Sequence, residues 1–484
     1  MELEAPGRTK QLAMERAAVR LGHDAFVSGR LTRPAMSAAL RALASFRDSM
    51  KQLGITHHRA VATSAVRESR NGEQFVALVR RQTGLTLDVI SGPEEARLIL
   101  IAVREKIPLG TGRWVLVDLG GGSAEVSLAD ASGILWCESH AIGSVRLLEE
   151  LGQAGDEPGR FRDLLAEYVG TLAVRLSADR ERIAGVIATG GNIDTLARLA
   201  GRSGGDGVVV LPLSRLRAIV QKLSVLSYRQ RMKELGLRAD RADVILPAAL
   251  VYERVCVLAG KDEILVPFVG LKDGVLLDLV DDLVAHREHS DRQDQESIAA
   301  AVALGRRYDF DEAHGLHVAR LARSLFDQLV ALHGLGAAER RMLLAAAVLH
   351  EIGQYVSFRK HHKHSFYLIS ESELPGFTAL EMRITGNLAR YHRGSEPSPR
   401  HEPYARLGRP EREVVRKLGA ILRMADALDR EHSQRVQQVE IRATRRKASL
   451  RLRGRGDLLL ERWALKKKCG LFSQVFGLRV ELQG

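Results

Sequence analysis

Cysteine is scarce in this chain. Its 484 residues hold three, Cys137, Cys256 and Cys469, far apart and odd in number. That excludes a disulfide framework or a cysteine metal cluster as the organising device. Long apolar runs are missing too. None reaches the length of a bilayer span, so no membrane partner is expected. Glu2 and Glu4 stand where a secretory leader would be apolar, and a cytoplasmic location is expected. No short internal repeat is present. Acid is outnumbered: 59 Asp and Glu face 72 Lys and Arg, a formal charge of +13. Such an excess draws polyanions through the long-range field, and nucleic acid and polyphosphate answer to it equally. The basic residues gather at Arg442 to Arg455 and at Lys466 to Lys468.

What the chain does have is core. A 45% hydrophobic fraction over this length predicts two to four folded domains. Apolar spacing predicts a helix over 33–53, a strand over 60–64, a polar turn at 68–72, a helix over 73–83 and a strand over 85–90. Pro93 suits the first turn of a helix running to Arg104. This alternation predicts an α/β domain ending near Pro108. A second α/β unit follows, with strands at 114–117, 124–129 and 133–137 and a helix over 156–179. The strand Ile183 to Thr189 then feeds Gly190, Gly191 and a helix over 193–200. Gly201 to Gly207 reads as a surface turn, and helices run from there to a strand at 263–268. A charged linker at 286–295 leads into long helical periodicities at 314–329, 340–349 and 411–428. Strand alternation returns at 439–441, 449–452, 458–461 and 478–482, a small α+β end.

The chemistry-bearing residues cluster at predicted strand ends. Asp118 closes an apolar strand and is followed by Gly120, Gly121, Gly122 and Ser123, whose backbone and hydroxyl donors suit phosphate. A hard carboxylate oxygen there suits Mg2+, with Glu125 on the next strand as support. A plain hairpin turn with a strand-end carboxylate gives the same local pattern. Glu94 and Glu95 open a helix, where they either cap it against its dipole or orient water. Thr63 and Ser64 offer hydroxyls, and Arg67 either forks onto phosphate or pairs with Glu68. Thr189, Gly190 and Gly191 form a second glycine turn, and Gly270 with Lys272 and Asp273 a third. In the helical half, His317, His350, Glu351, His361, His362, His364, Asp426 and Asp429 include possible metal ligands. A surface histidine cluster has the same composition, and Lys360 and Lys363 would guide a phosphate chain.

Taken in order, these segments resemble the exopolyphosphatase and guanosine pentaphosphate phosphohydrolase (Ppx/GppA) family. The motifs are Ala62 to Glu68, Ile90 to Arg97, Asp118 to Glu125 and Ala188 to Gly191. The resemblance implies an α/β plus helical protein: two actin-like ribonuclease-H-type domains, an HD-like helical domain and a small α+β appendage. The corresponding ranges are 1–108, 109–286, 287–436 and 437–484. It implies Glu95 as the base that activates water and Arg67 as its catalytic companion. Asp118 and Glu125 would position Mg2+. Thr63, Ser64, Arg67, the 120–123 loop, Thr189 to Gly191, Lys360 and Lys363 would hold substrate.

The implied substrate is inorganic polyphosphate, with guanosine pentaphosphate as the alternative; a homodimer is expected, and specific nucleic-acid binding is not. The HD-like resemblance rests on His317, His350–Glu351, the 360–365 segment and Asp426 to Asp429. With Glu351 where such domains carry aspartate, that half is expected to guide substrate or dimerise. Relatives also open with an Asp-Gly-Ser-Asn-Ser-type loop between two strands. This chain opens Met1 to Gly7 without it, so that loop and hairpin are expected to be absent and hydrolysis weakened, leaving a polyphosphate-binding protein as a further reading.

Overall fold

Seven strands form the sheet that carries the site: β5 (Arg113–Leu119), β6 (Ala124–Asp130), β7 (Gly133–His140), β8 (Ile183–Thr189), β9 (Arg202–Ser203), β10 (Val209–Pro212) and β11 (Glu263–Val266). Their order is β7-β6-β5-β8-β11-β10-β9. The computed structural model describes residues 2–483 apart from 6, 7, 11, 18, 20, 23, 24, 152–157, 175–181, 285 and 445. Two units are distinguished, 1–286 and 287–484.

Alternation along β5 decides what faces what. Val115, Val117 and Leu119 join the cluster formed with the helices Gly191–Ala200 and Ile245–Leu258. Leu116 packs on the other face, with Ala129 and Ile187 from neighbouring strands and Ala96, Ile99, Leu100 and Val103 of the helix Gly92–Arg104. Side chains two apart share a face, so Asp118 is on the same side as Leu116 and that helix. Ser91 begins the helix by accepting from the Glu94 amide at 3.3 Å, with Pro93 in the first turn.

The same helix is buried from Gly92 through Val103 because it is covered twice. Opposite the sheet lies the helix Leu271–Val284. Their backbones approach so closely that a Cβ on Gly274 would fall 1.8 Å from the Leu98 carbonyl oxygen. Arg97 ties the two together, donating to Glu94 at 2.8 and 2.9 Å and to Asp278 at 3.0 and 3.1 Å. Arg59 adds a second cation, 2.6 Å from Asp278. Earlier in the chain, β3 (Ala60–Ala62) pairs in parallel with β4 (Leu87–Val89), beside the helices Arg33–Gln52 and Gly72–Thr83.

Unit 2 packs the helices Glu312–Gln328, Ala337–Leu349, Ala379–Tyr391 and Arg409–Ala427 around one apolar cluster. That cluster continues into the sheet β12 (Val436–Ala443), β13 (Lys447–Gly454) and β14 (Arg479–Gln483). Gln328 joins helix to strand, donating to the Val439 carbonyl and accepting from the Ile441 amide, both at 2.9 Å.

Several expectations are corrected, though not the missing phosphate loop: β1 (Glu2–Ala5) and β2 (Arg8–Lys10) form an antiparallel pair whose sequence is not of the Asp-Gly-Ser-Asn-Ser type, with Glu2 opposite Lys10. The residues joining them lie outside the described set. The 201–207 turn contains β9, which pairs with the unpredicted β10. The charged 286–295 stretch is not a linker but part of the helix His286–Arg306, where Arg292 and Glu296 pair at i,i+4. Leu458 to Glu461 is not a strand; it leads into the helix Leu459–Lys468. Of the helix expected over 156–179, Pro158–Gly170 is formed and 171–174 are not helical, while 156, 157 and 175–179 lie outside the described residues. Among the described residues no helix is long and apolar enough to cross a membrane.

Candidate active site

Strand register assembles the site. Thr189 on β8 is opposite Asp118 on β5, Asp118 is opposite Glu125 on β6, and Glu125 is opposite Ser139 on β7. Four polar side chains therefore form one row across four strands, on the face covered by the helix Gly92–Arg104. The start of that helix comes close because residue 92 is glycine: a Cβ there would meet Ser139 Cβ at 3.1 Å and Glu125 Cγ at 3.6 Å. Glu95, one turn on, joins the row. Carboxylate oxygens of Glu95, Asp118 and Glu125 lie within 4.8 Å of one another.

Their surroundings differ. Glu125 Oε1 accepts from Ser123 Oγ at 2.7 Å and from Ser139 Oγ at 2.9 Å. Asp118 Oδ1 accepts from Thr189 Oγ1 at 2.5 Å. Glu95 Oε2 and Glu125 Oε2 are buried and, among the described residues, accept no hydrogen bond. Arg67 stands between them, 3.9 Å from Glu95 and 4.0 Å from Glu125, and is held by donating to the Ile90 carbonyl at 2.7 Å. One cation does not balance three clustered carboxylates. Burial, then the charges of Glu125 and Asp118, push the Glu95 carboxyl up to about 9 against the opposing pull of Arg67. Glu125 is pushed up to about 7, chiefly by burial, with the Ser123 hydrogen bond opposing it. Burial also raises Asp118, while Thr189 opposes the rise.

Crowded oxygen donors, two of them lacking hydrogen-bond partners, fit a hard divalent cation. Asp118 and Glu125 are the residues that would hold it, with Glu95 alongside.

The glycine loop is braced from behind. The Gly120 carbonyl accepts from the Ser144 amide, and the Gly121 carbonyl from the amides of Val145 and Arg146. The Gly122 carbonyl accepts from the Gly143 amide at 3.3 Å and from Arg146 Nε at 2.7 Å. Among the described residues the amides of Gly121 and Gly122 meet no acceptor and can donate to an anion. Ser64 is buried beside Gly122: a Cβ on that glycine would sit 2.7 Å from Ser64 Oγ. Thr63, one residue earlier, precedes the short helix Ser64–Arg67 without capping it. Gly190 has φ +107°, and a Cβ there would lie 2.9 Å from the Leu119 carbonyl and 3.6 Å from Asp118 Oδ1. Gly191 begins the helix Gly191–Ala200 against the Arg241 guanidinium.

The two glutamates of the helix start thus separate: Glu94 belongs to the Arg97–Asp278 network and Glu95 to the carboxylate cluster. Glu68 pairs with Arg146, leaving Arg67 to the cluster. Lys272 pairs with Asp273, which also accepts from the Gly270 amide. Lys360 and Lys363 belong to unit 2, exposed at the start of the helix His361–Ser370. Ser139, Arg146 and Arg241 were not anticipated. Ser139 alone had a readable signal, its place opposite Glu125 in a three-strand meander.

A family model described as the Ppx/GppA phosphatase family matches residues 4–283, and one for its domain III matches 298–468. A guanosine-5'-triphosphate,3'-diphosphate pyrophosphatase of Vibrio cholerae is 27% identical over 461 residues, covering 93% of this chain and 88% of that protein. The Vibrio vulnificus protein of the same name is 25% identical over 416 residues, covering 85% and 81%. Among solved structures, an exopolyphosphatase from Cytophaga hutchinsonii is 28% identical with a TM-score of 0.50, covering 56% of this chain and 90% of that one. The architecture is the one the motifs implied: two actin-like ribonuclease-H-type α/β domains, then a helical region with a small α+β appendage. On its matching sequence and fold, the chain belongs to the Ppx/GppA phosphatase family.

Proposed function

We propose that this protein hydrolyses the terminal phosphoanhydride of inorganic polyphosphate, releasing orthophosphate and a chain one unit shorter. The observation that supports this most is the carboxylate cluster of Glu95, Asp118 and Glu125 beside a loop with two available amides. Mg2+ is the proposed ion, held by Asp118 and Glu125; when bound it supplies charge neutralisation at phosphoryl oxygens.

The protein's own groups do the rest. Amides of Gly121 and Gly122, with the Ser64 hydroxyl, receive the terminal phosphate oxygens. Arg67 adds a charge-assisted contact and meets the charge that redistributes in transfer. Glu95 takes a proton from the attacking water as its oxygen bonds to phosphorus and the bridging P–O bond breaks. Its high proton affinity suits a base, provided the site first strips its proton; a cation among the carboxylates favours that ionised form.

A second reading has its own support: the two Vibrio relatives are named for a guanosine pentaphosphate substrate. Both substrates present a terminal phosphoanhydride to the same groups. Orthophosphate release from long-chain polyphosphate and from guanosine pentaphosphate, with Mg2+, compares them directly for the full chain and Glu95→Gln. Faster release from polyphosphate that collapses in the variant supports the proposal. Preference for the nucleotide supports the second reading, and undiminished release by Glu95→Gln removes Glu95 as the base.

A further inference from the structure

The row of polar side chains across the sheet has two unlike ends. At the β7 and β6 end stands the helix start that brings in Glu95, because Gly92 meets Ser139 and Glu125 there. At the β8 end Thr189 leads into Gly190 and Gly191, and against Gly191 lies Arg241. Arg241 comes from the short helix Ala239–Ala242 and has no part in the chemistry above. Only glycine at 191 leaves room for its guanidinium: a Cβ there would lie 2.3 Å from Arg241 Nη2 and 2.9 Å from Cζ.

A buried chain of hydrogen bonds ties this arginine to the glycine loop. Arg241 Nη1 donates to Asn192 Oδ1 at 3.2 Å, and Asn192 Nδ2 donates to Ser144 Oγ at 3.1 Å. Ser144 Oγ in turn donates to the Gly120 carbonyl at 3.3 Å. Asn192 and Ser144 are each 2% exposed. The loop that receives the terminal phosphate and the guanidinium of Arg241 are therefore positioned together. Among the described residues the one hydrogen bond of Arg241 goes to this neutral amide, which leaves most of its five donors for a ligand.

Positive charge is in excess at this end. Asp240, the acid nearest in sequence, is already paired with Arg16 at 2.8 Å and Arg238 at 3.1 Å. Asp194 also feels Arg241, but Arg198 answers it as well, and Asp273 beside it is held by Lys272. Arg16, Arg198, Arg238 and Arg241 thus meet two carboxylates, Asp240 and Asp194. The helix Gly191–Ala200 starts here without a side-chain cap, so its first amides add to the same field. Burial lowers Arg241 from the usual arginine range against the pull of Asp240, and Arg16 and Arg238 lower it further; an arriving anion relieves both.

In phosphoryl transfer the attacking and leaving oxygens lie roughly in line through phosphorus. With water at the Glu95 end, the leaving oxygen and the phosphate that carries it point toward the β8 end. We propose that Arg241, backed by Arg16 and Arg238, binds the phosphate on the leaving side of the scissile anhydride; this rests on the hydrolysis proposed above. As the bridging P–O bond breaks, its electron pair stays on the oxygen of that phosphate, and the guanidinium meets the added charge. The substrate class is therefore one with at least two phosphates in series.

Isothermal titration of the full chain carrying Glu95→Gln, at fixed Mg2+, compares two ligands. Orthophosphate fills the terminal place alone, and tripolyphosphate also fills the leaving side. Adding Arg241→Gln should weaken tripolyphosphate binding by about tenfold or more and orthophosphate binding by no more than about twofold. Arg241→Lys should recover part of the loss, since it restores the charge without the fork. Equal losses for both ligands, or no loss for either, overturn the proposal while leaving hydrolysis at Glu95 standing. Absence of tripolyphosphate binding before Arg241 is changed removes the hydrolysis reading, and this proposal with it. Should Arg241→Gln fail to fold, Arg16→Gln at an exposed side chain decides. A selective loss of about twofold to fivefold for tripolyphosphate supports the site, and an unchanged ratio of the two affinities refutes it.

Discussion

Replacing Glu95 by Gln should stabilise the metal-free protein, although it removes the proposed base. In the fold this carboxyl is held at about 9, against 4.5 for an ordinary glutamate. Below pH 4.5 both folded and unfolded chains carry the proton, and the site contributes its full stability. As pH rises toward 9 the unfolded chain releases the proton while the folded one retains it, so stability falls. At pH 7.5, some three pH units above the unfolded value, the upper bound on this loss is ~4 kcal/mol. Relaxation and water entry in a cluster this crowded reduce it, and a gain of about 1–3 kcal/mol is expected for Glu95→Gln. Glutamine keeps the shape and has no proton to retain. Thermal and urea unfolding in chelator, followed by fluorescence, tests this; Trp114 and Trp136 lie on β5 and β7 of the site's sheet. The gain should be present at pH 7.5 and gone at pH 4.5. Saturating Mg2+ should narrow it, because the cation favours the ionised Glu95 that only the parent carries. If the variant is no more stable than the parent at pH 7.5 in chelator, the crowding argument fails. A gain of the same size at both pH values refutes it too, because the effect would not be protonic.

Three further outcomes follow from the geometry. Arg67→Lys keeps a cation but loses the fork, and should lower kcat for phosphate release by about a hundredfold while the melting curve moves little. Arg97→Met leaves the buried Glu94 and Asp278 carboxylates with too little positive charge; denaturant unfolding should report a loss of ~3–5 kcal/mol. Gly190→Ala forces a Cβ onto a left-handed backbone position and toward the Leu119 carbonyl. A loss of ~1–3 kcal/mol is expected by thermal unfolding, with phosphate release falling as Asp118 is displaced.

Much of the unit 1 site was legible because its residues sit at the ends of strongly patterned elements. Asp118, Glu125 and Thr189 terminate or begin apolar strands, and two-residue periodicity places them on one face once the strands pair. Glu94 and Glu95 could not be separated in this way. They are neighbours on one helix turn, and only the long-range arrival of Asp278 assigns Glu94 to an ion network. The buried histidines of unit 2 were half legible. His350, His361 and Asp426 were candidates, but His314 and His392, whose rings meet those of His350 and His361, carry no local mark, and helix packing alone brings them in. The helix His286–Arg306 was missed because its first turns are almost wholly charged, leaving no apolar period. β9 and β10 are too short for alternation to register.

The row of Thr189, Asp118, Glu125 and Ser139 exists only in one pairing register. A slip of one residue between any two of these strands would send a member to the opposite face of the sheet. Catalysis and correct folding are therefore read from the same alignment. A misregistered molecule would silence itself, and specific activity per folded molecule becomes a proofreading signal for how faithfully the sheet has assembled.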